Sequence, residues 1–369
     1  MAKVFIKQAA AFTSLGENLD DTFDALCLGK TAIAPVKRFS TVHMEGTDAA
    51  IIPSLDMSDS NKIITLLSKL LPQLNDLSPD TFVIWTGIKG GVEQIERQAG
   101  GLARLSEKWA SDYRKWIAEV LSLNGTGMEI NAACVSSTVG ISVGAELIER
   151  GQCRSVLVVG ADWVSRFTFS GFASLRALTK TVCRPFDINR DGLAIGEAAA
   201  AVHLTDRQGS GENLPELIGS GIANDANHIT GPSRDGAGLT SAIHAALKQA
   251  SLSPVDIGAF CAHGTATRYN DDMELTALER VFDKRRFPVF SVKGALGHTL
   301  GAAGVLETAI CLKALSLHTI PPTCGCKNPE QRASDRAGDY KQEFKGCNIL
   351  TTNSGFGGIN AALIIRAPE

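Results

Sequence analysis

The sequence predicts a layered α/β fold. Short runs of β-favouring apolar residues alternate with helical patterns along most of the chain. Several of those runs, such as Thr81-Phe-Val-Ile-Trp85 and Ser155-Val-Leu-Val-Val-Gly160, are apolar throughout instead of alternating, as in strands covered on both faces. A unit of strand, loop and small-residue helix also recurs in the second half, which points to two related halves, 1–210 and 211–369, divided at Gly209-Ser-Gly211 and Pro215.

A chain of 369 residues, 44% apolar, has material for a large core. Its net charge of −3 is spread without long runs of one sign, which excludes a nucleic-acid arm or polybasic anchor. The start lacks a secretory pattern and no uninterrupted apolar run is expected to span a bilayer, so the expectation is a cytoplasmic protein. Nine cysteines, an odd number lying mostly in apolar segments, suit a reducing compartment. Cys324-Gly-Cys326 lacks the second pair or histidine that a metal site needs.

In chain order, Asn18 is placed to cap a helix running to Gly29, with Leu19, Phe23, Leu26 and Cys27 on its apolar face. Residues 37–60 are polar and variable in character, and Ile63, Ile64, Leu67 and Leu71 mark the next helix. Glu93 to Leu121 reads as a solvated helix of mixed charge, with Arg97, Arg104, Lys108, Arg114 and Lys115 open to an acidic partner. A short strand then precedes Asn131-Ala-Ala-Cys-Val-Ser-Ser-Thr-Val-Gly140, and the following helix to Gly151 is small-sided nearly all round, as a buried helix would be. The second half repeats strand (217–222), helix (238–250) and strand (257–262). After Gly297-His-Thr-Leu-Gly-Ala-Ala-Gly304 comes a helix in the place that the Cys134 helix holds in the first half. Two final strands, 348–352 and 359–365, flank Asn353-Ser-Gly-Phe-Gly-Gly358, a turn able to aim backbone N–H groups at a ligand.

Cys134 ends a strand–loop and opens a helix, where the helix dipole and unpaired N–H groups are expected to lower its pKa. His263, in Ala262-His-Gly-Thr-Ala-Thr267, and His298, in Gly297-His-Thr-Leu-Gly301, each follow a strand and neighbour glycine. His43, His203, His228, His244 and His318 have no such setting and read as surface or structural. Lys293 and Glu274 are candidates for an ion pair that sets the charge around the cysteine and histidines.

Taken together, these stretches resemble the elongating β-ketoacyl synthases of the thiolase-like superfamily, whose working residues are one cysteine and two histidines. The resemblance lies in Ala132-Ala-Cys-Val-Ser-Ser137, in Arg184-Pro-Phe-Asp-Ile-Asn-Arg-Asp-Gly-Leu-Ala-Ile-Gly-Glu197, in His263-Gly-Thr-Ala-Thr267, in Lys293 through Gly304 and in Gly355-Phe-Gly-Gly-Ile-Asn360, spaced as in that family. It implies a thiolase-like α/β fold with a duplicated five-layer αβαβα core, and decarboxylative condensation of an acyl group on Cys134 with malonyl-acyl carrier protein. By the same resemblance, His263 and His298 would hold the malonyl thioester carbonyl, Lys293 and Glu274 would organise the site, and the N–H groups of Cys134 and Phe356 would hold the oxyanion. Thr265 and Thr267 would bind the phosphopantetheine arm, with Phe356 and Gly357 in the gating turn at the substrate. No metal or dissociable cofactor is implied. The implied partners are an acyl carrier protein and a second subunit, giving a homodimer or a heterodimer with a related ketosynthase-like chain; Arg38, Arg104 and Lys108 are generic basic candidates for the carrier contact.

The chain departs from the pattern in three respects. It is short before Cys134 and between Leu178 and Arg184, alanines (Ala198, Ala200) replace the usual glycines after Glu197, and Ser354 replaces an aromatic residue. These differences suit a synthase of a specialised polyketide or polyene pathway as well as one of fatty-acid synthesis. A non-catalytic chain-length-factor-like subunit is disfavoured by the retained Cys134, His263, His298 and Lys293, and a starter-unit synthase of Cys-His-Asn type by His298.

Overall fold

The computed structural model describes residues 2–55, 61–99, 112–209 and 211–368. Ten strands carry the architecture: β1 (Phe5–Thr13), β2 (Phe82–Trp85), β3 (Gly127–Glu129), β4 (Ser155–Asp162), β5 (Ala198–Thr205), β6 (Glu216–Asn224), β7 (Ala259–Cys261), β8 (Val289–Phe290), β9 (Asn348–Ser354) and β10 (Ile359–Arg366). The first five run in the order β3-β2-β4-β5-β1 and the last five in the order β8-β7-β9-β10-β6. Adding five to each strand number converts one sheet into the other. Orientations follow the same rule: β2 is parallel to β3 and β4, whereas β5 is antiparallel to β4 and β1; β7 and β10 repeat this with their own neighbours. One residue pair, Phe5 with Glu216, joins the two sheets at β1 and β6.

Among the described residues ten α-helices pack on and between these sheets: α1 (Leu19–Cys27), α2 (Lys62–Leu70), α3 (Val92–Ala99), α4 (Tyr113–Val120), α5 (Ser136–Glu149), α6 (Arg166–Ser174), α7 (Ala237–Ala250), α8 (Arg268–Phe282), α9 (Lys293–Leu296) and α10 (Ala303–Leu317). Asn18 caps α1 by accepting the Asp21 N–H at 2.8 Å, as its sequence position requires. The expected 93–121 helix is instead α3 and α4, with residues 100–111 between them outside the described residues.

Packing produces five layers, because the central strands are buried on both faces. In β4, Val156 and Val158 point to the middle of the molecule and Leu157 and Val159 point outward; in β10, Leu363 and Ile365 point to the middle and Ile364 outward. This is the two-residue period of a strand. Ile63, Leu66 and Leu70 of α2 with Ile117 of α4 cover the outer face of the first sheet, and Leu239, Ile243 and Leu278 of α7 and α8 cover that of the second. Between the sheets lie α5 and α10, through Ile141, Ala145, Val305, Leu306 and Ile310.

A helix buried on every side must be apolar on every side. Leu300–Leu317 is accordingly long and apolar enough to cross a membrane by length and composition, although Glu307 and Lys313 interrupt the apolar run, and it is mostly buried between the sheets. Composition along the chain does not distinguish a middle-layer helix from a membrane span.

The α5–α10 contact is close enough to exclude side chains. A Cβ on Gly304 would lie 2.0 Å from the Thr138 hydroxyl oxygen, whereas one on Gly171, within α6, would meet nothing within 4 Å. Gly304→Ala should therefore lower stability by roughly 1–3 kcal/mol through overpacking. Gly171→Ala should be neutral or stabilising by up to about 1 kcal/mol, because alanine is the better helix former. Urea denaturation midpoints of the two variants, compared at equal m-values, check both.

Candidate active site

Cys134 follows β3 and immediately precedes α5. Ala133 adopts a left-handed φ of +50°, and the Ser136 hydroxyl holds the bend by accepting the Ala132 N–H at 2.8 Å and donating to the Ala133 carbonyl at 2.6 Å. Left-handed residues also bracket the histidines: Gly264 and Ala266 after His263, Gly297 and Leu300 around His298. Backbone strain of this kind is kept where surrounding structure holds it in place.

The thiol is buried, and the backbone N–H groups of Phe356 and of Cys134 itself face its sulfur. Contrary to the expectation of a thiol lowered by the helix, burial pushes Cys134 up to about 12, with the Asp162 charge acting in the same direction and Lys293 and the two N–H groups opposing them. Loss of hydration on burial outweighs the helix end.

His263 is fixed at both ends. Its backbone N–H and that of Gly264 donate to the Glu274 carboxylate at 2.7 and 2.6 Å. Its Nδ1 lies 3.0 Å from Asn353 Nδ2. That amide is oriented by its other partners: Nδ2 also donates to Glu307 at 2.8 Å, and Oδ1 accepts from the Thr138 hydroxyl. An amide nitrogen can only donate, so Nδ1 of His263 accepts and the ring proton sits on Nε2.

His298 is held by its main chain, donating to Ala194 at 2.7 Å and accepting from Gly196 at 3.0 Å, which is what the Ala194-Ile-Gly-Glu197 end of the central motif contributes. Its Nδ1 accepts the Leu300 N–H at 3.4 Å, which again leaves the proton on Nε2. The two rings stand edge to face with centroids 5.1 Å apart. Burial first, then the Lys293 charge, drives both histidines well below their usual pKa. Both are neutral N–H donors at physiological pH.

Lys293 does not pair with Glu274. It opens α9 and forms a buried ion pair with Glu307 of α10, while Glu274, on α8, serves the main chain of the His263 loop and accepts from Asn270 at 2.9 Å. Burial and neighbouring Asp271 push Glu274 up to about 8. Glu307 carries a sequence signal that went unread: it is the lone carboxylate in Val305-Leu306-Glu307-Thr308-Ala309-Ile310, and an acid in a buried apolar helix requires a buried cation. Asn353 gave no comparable signal within its glycine turn.

Cys134, His263 and His298 meet in one pocket of about 750 Å³. Thr265 and Thr267, their hydroxyls 2.9 Å apart, and Asn270 line one side, and Phe172 and Phe356, with rings 5.9 Å apart, line the other. Gly357, expected at the substrate, is not part of the wall; at φ +88° it donates its N–H to Ile229 at 2.8 Å and ties the glycine turn to the 227–232 loop. That loop brings His228, read as surface or structural, to the pocket, with Nδ1 accepting the N–H groups of Thr230 and Gly231.

Exposed Arg176, Arg234 and Arg268 ring the opening. Arg38 is not available as a carrier contact, because its guanidinium is buried against Glu197. Arg104 and Lys108 lie outside the described residues. Among the described residues no cluster of three or more metal-ligating side chains occurs.

Comparison with known proteins agrees with this geometry. The sequence profile "Beta-ketoacyl synthase, N-terminal domain" matches residues 110–209, and "Beta-ketoacyl synthase, C-terminal domain" matches 214–327. The 3-oxoacyl-[acyl-carrier-protein] synthase 2 of Coxiella burnetii is 26% identical over 98% of both chains. The ketoacyl synthase alpha subunit of the tetracenomycin polyketide synthase of Streptomyces glaucescens is 33% identical over 65% of this chain and 60% of its own. Among solved structures, the ketosynthase ApeO in complex with its chain length factor ApeC from Xenorhabdus doucetiae superposes with a TM-score of 0.84, at 27% identity over 99% and 98% of the two chains. With both family profiles matched in order over more than half of its length, the chain belongs to the β-ketoacyl synthase family.

Proposed function

We propose that the chain is a β-ketoacyl-acyl-carrier-protein synthase that condenses an acyl group held on Cys134 with malonyl-acyl carrier protein. One observation carries the reading: two neutral imidazoles, each with its proton on Nε2, share one pocket with a buried thiol faced by two backbone N–H groups.

In the first half-reaction Cys134 Sγ attacks the carbonyl carbon of the acyl thioester. The N–H groups of Cys134 and Phe356 hold the oxyanion, the carbon–sulfur bond to the carrier arm breaks, and the arm leaves as a thiol with the proton that Cys134 loses. In the second, the malonyl thioester carbonyl accepts from Nε2 of His263 and His298. The bond to the terminal carboxylate breaks, carbon dioxide departs, and its electron pair forms the enolate that the two N–H groups stabilise. The enolate carbon attacks the acyl–Cys134 carbonyl, and collapse expels the cysteine thiolate, leaving a β-ketoacyl chain on the carrier.

Lys293 and Glu307 hold Asn353, and through it the His263 tautomer, while Glu274 fixes the His263 main chain. Thr265 and Thr267 receive the arm, Phe356 gates it, and the arginines at the opening suit its phosphate and an acidic carrier. The reading includes a dimer, formed with a second copy or with a related subunit, as ApeO has its chain length factor. The named relatives are a 3-oxoacyl-[acyl-carrier-protein] synthase and a polyketide synthase subunit, and a fatty-acid or a polyketide setting is compatible with this chemistry.

Intact-protein mass spectrometry after incubation with acyl-carrier thioesters should show an acyl adduct on the native chain and none on Cys134→Ala, and malonyl carrier should discharge it as a β-ketoacyl product. An unlabelled native chain, under conditions that label a known synthase, would sink the reading. Because both histidines are held below their ordinary pKa, the neutral forms persist as pH falls through 6.5; malonyl decarboxylation should therefore lack the acid limb near 6.5 that a histidine having to lose a proton would give, and a change near pH 8 belongs to Glu274. Arg234→Glu with Arg268→Glu should raise KM for carrier-bound substrates roughly tenfold, as expected when steering charge is reversed. Loading from a small acyl thioester without the carrier should change little.

A further inference from the structure

The first half contains a buried polar node that the reaction above does not use. Asp162, at the end of β4, pairs with Lys89 from the loop after β2; their side chains are 1% and 7% exposed. Lys89 also donates to the Trp163 carbonyl, and the Asp162 carboxylate accepts the Trp163 N–H at 3.0 Å. Its other oxygen accepts the N–H of Gly301 at 3.2 Å, in the loop that carries His298 into α10.

The duplication gives this node a counterpart. Asn353, at the end of β9, pairs with His263 from the loop after β7 and reaches the first turn of α5 through Thr138. Asp162 and Lys89 likewise stand at the end of β4 and in the loop after β2, and they reach across in the opposite direction, to the loop opening α10. Each half therefore supports the working residue that sits at the head of the other half's middle helix, or beside it.

We propose that Lys89 and Asp162 are a positioning pair for the reaction, holding the His298 loop through Gly301 and balancing the charge around Cys134 and His298. The charged and titratable groups that bear on Cys134 are Lys293 from α9, Asp162 from β4 together with Lys89 paired to it, and the two imidazoles; those that bear on His298 are Lys293, Lys89 and His263. The Asp162 charge raises the thiol, and the Lys89 charge lowers His298. Outside the pair, the Trp163 ring lies beneath the Lys62 and Lys89 ammonium groups at 5.1 and 5.9 Å, and Lys62 pairs with Glu93 at 3.3 Å. The pair is thus embedded in packed, charge-balanced surroundings that keep it in one arrangement.

The test is the pH–rate profile of Cys134 alkylation by iodoacetamide, read by mass spectrometry, in Asp162→Asn, Lys89→Met and the double variant. Asp162→Asn leaves Lys89 unopposed and should move the profile down by about one pH unit, with roughly tenfold faster alkylation at neutral pH. Lys89→Met leaves Asp162 unopposed and should move it up. The double variant should return close to the native profile. A purely structural role would disturb both single variants alike, so profiles that coincide with the native one, or that move in the same direction, overturn the proposal. If one single variant does not fold, the direction in the other decides. If neither folds, the double variant, which buries no unpaired charge, decides by malonyl decarboxylation: a tenfold fall in kcat at unchanged KM upholds the pair's role, and an unchanged kcat removes it. The proposal rests on Cys134 being the acylated residue, so acyl loading of the native chain is measured alongside. Absent loading marks failure of that reading, and loading with coincident profiles marks failure of this one.

Discussion

The buried ion pair between Lys293 and Glu307 is the interaction on which the rest of the site depends. Glu307 stands on the middle helix α10, Lys293 on the short helix before the His298 loop, and Asn353 bridges from Glu307 to His263. Two charges removed from water are not by themselves a source of stability, since desolvation offsets most of their attraction. Removing one partner is different: the charge left behind costs about 3–5 kcal/mol. What the pair provides is orientation. It fixes which way the Asn353 amide faces, the amide fixes which nitrogen of His263 carries the proton, and the proton decides whether the ring donates to a substrate carbonyl.

Burial explains the protonation states. Burial drives the imidazoles toward their neutral forms and the Cys134 thiol up to about 12, because each neutral form is the one that needs no hydration. Neutral imidazoles suit hydrogen-bond donation to an enolate better than imidazolium ions would, since no countercharge has to be brought in. A protonated resting thiol is also slow to oxidise. The N–H groups that favour the thiolate before attack are the same ones that face a carbonyl oxygen after it, so a single pair of donors serves both stages.

Much of this was legible in the sequence where one local rule acts alone. The Asn18 cap, the apolar strand Ser155–Gly160 and the small-sided α5 follow from capping, burial and packing, and the Cys134, His263 and His298 segments stood out by their place after strands. What was hidden depends on which surfaces face each other across the molecule. Lys293 has two carboxylates within reach along the chain, Glu274 and Glu307, and only the layer geometry selects Glu307. The helix end after Cys134 is visible in the sequence, but the burial that outweighs it and raises the thiol is not. Arg38 resembles any surface arginine until the fold buries it against Glu197, and His228 gains its place at the pocket only because Gly357 ties its loop to the glycine turn.

The duplicated architecture makes stability and catalysis inseparable at the middle layer. The first half supplies Cys134 at the head of α5 and the second supplies His298 before α10, so the separation of nucleophile and donor is the separation of two helices. At Gly304 the backbone of α10 touches Thr138 of α5, and Thr138 is also the hydroxyl that orients Asn353. A side chain inserted there would push the helices apart and turn the amide that sets the His263 tautomer. Even a one-methyl change at this contact therefore acts on the reaction through geometry, because a donor displaced by about 1 Å from the developing charge forfeits much of its effect. Close packing between the two halves is thus itself part of the catalytic apparatus.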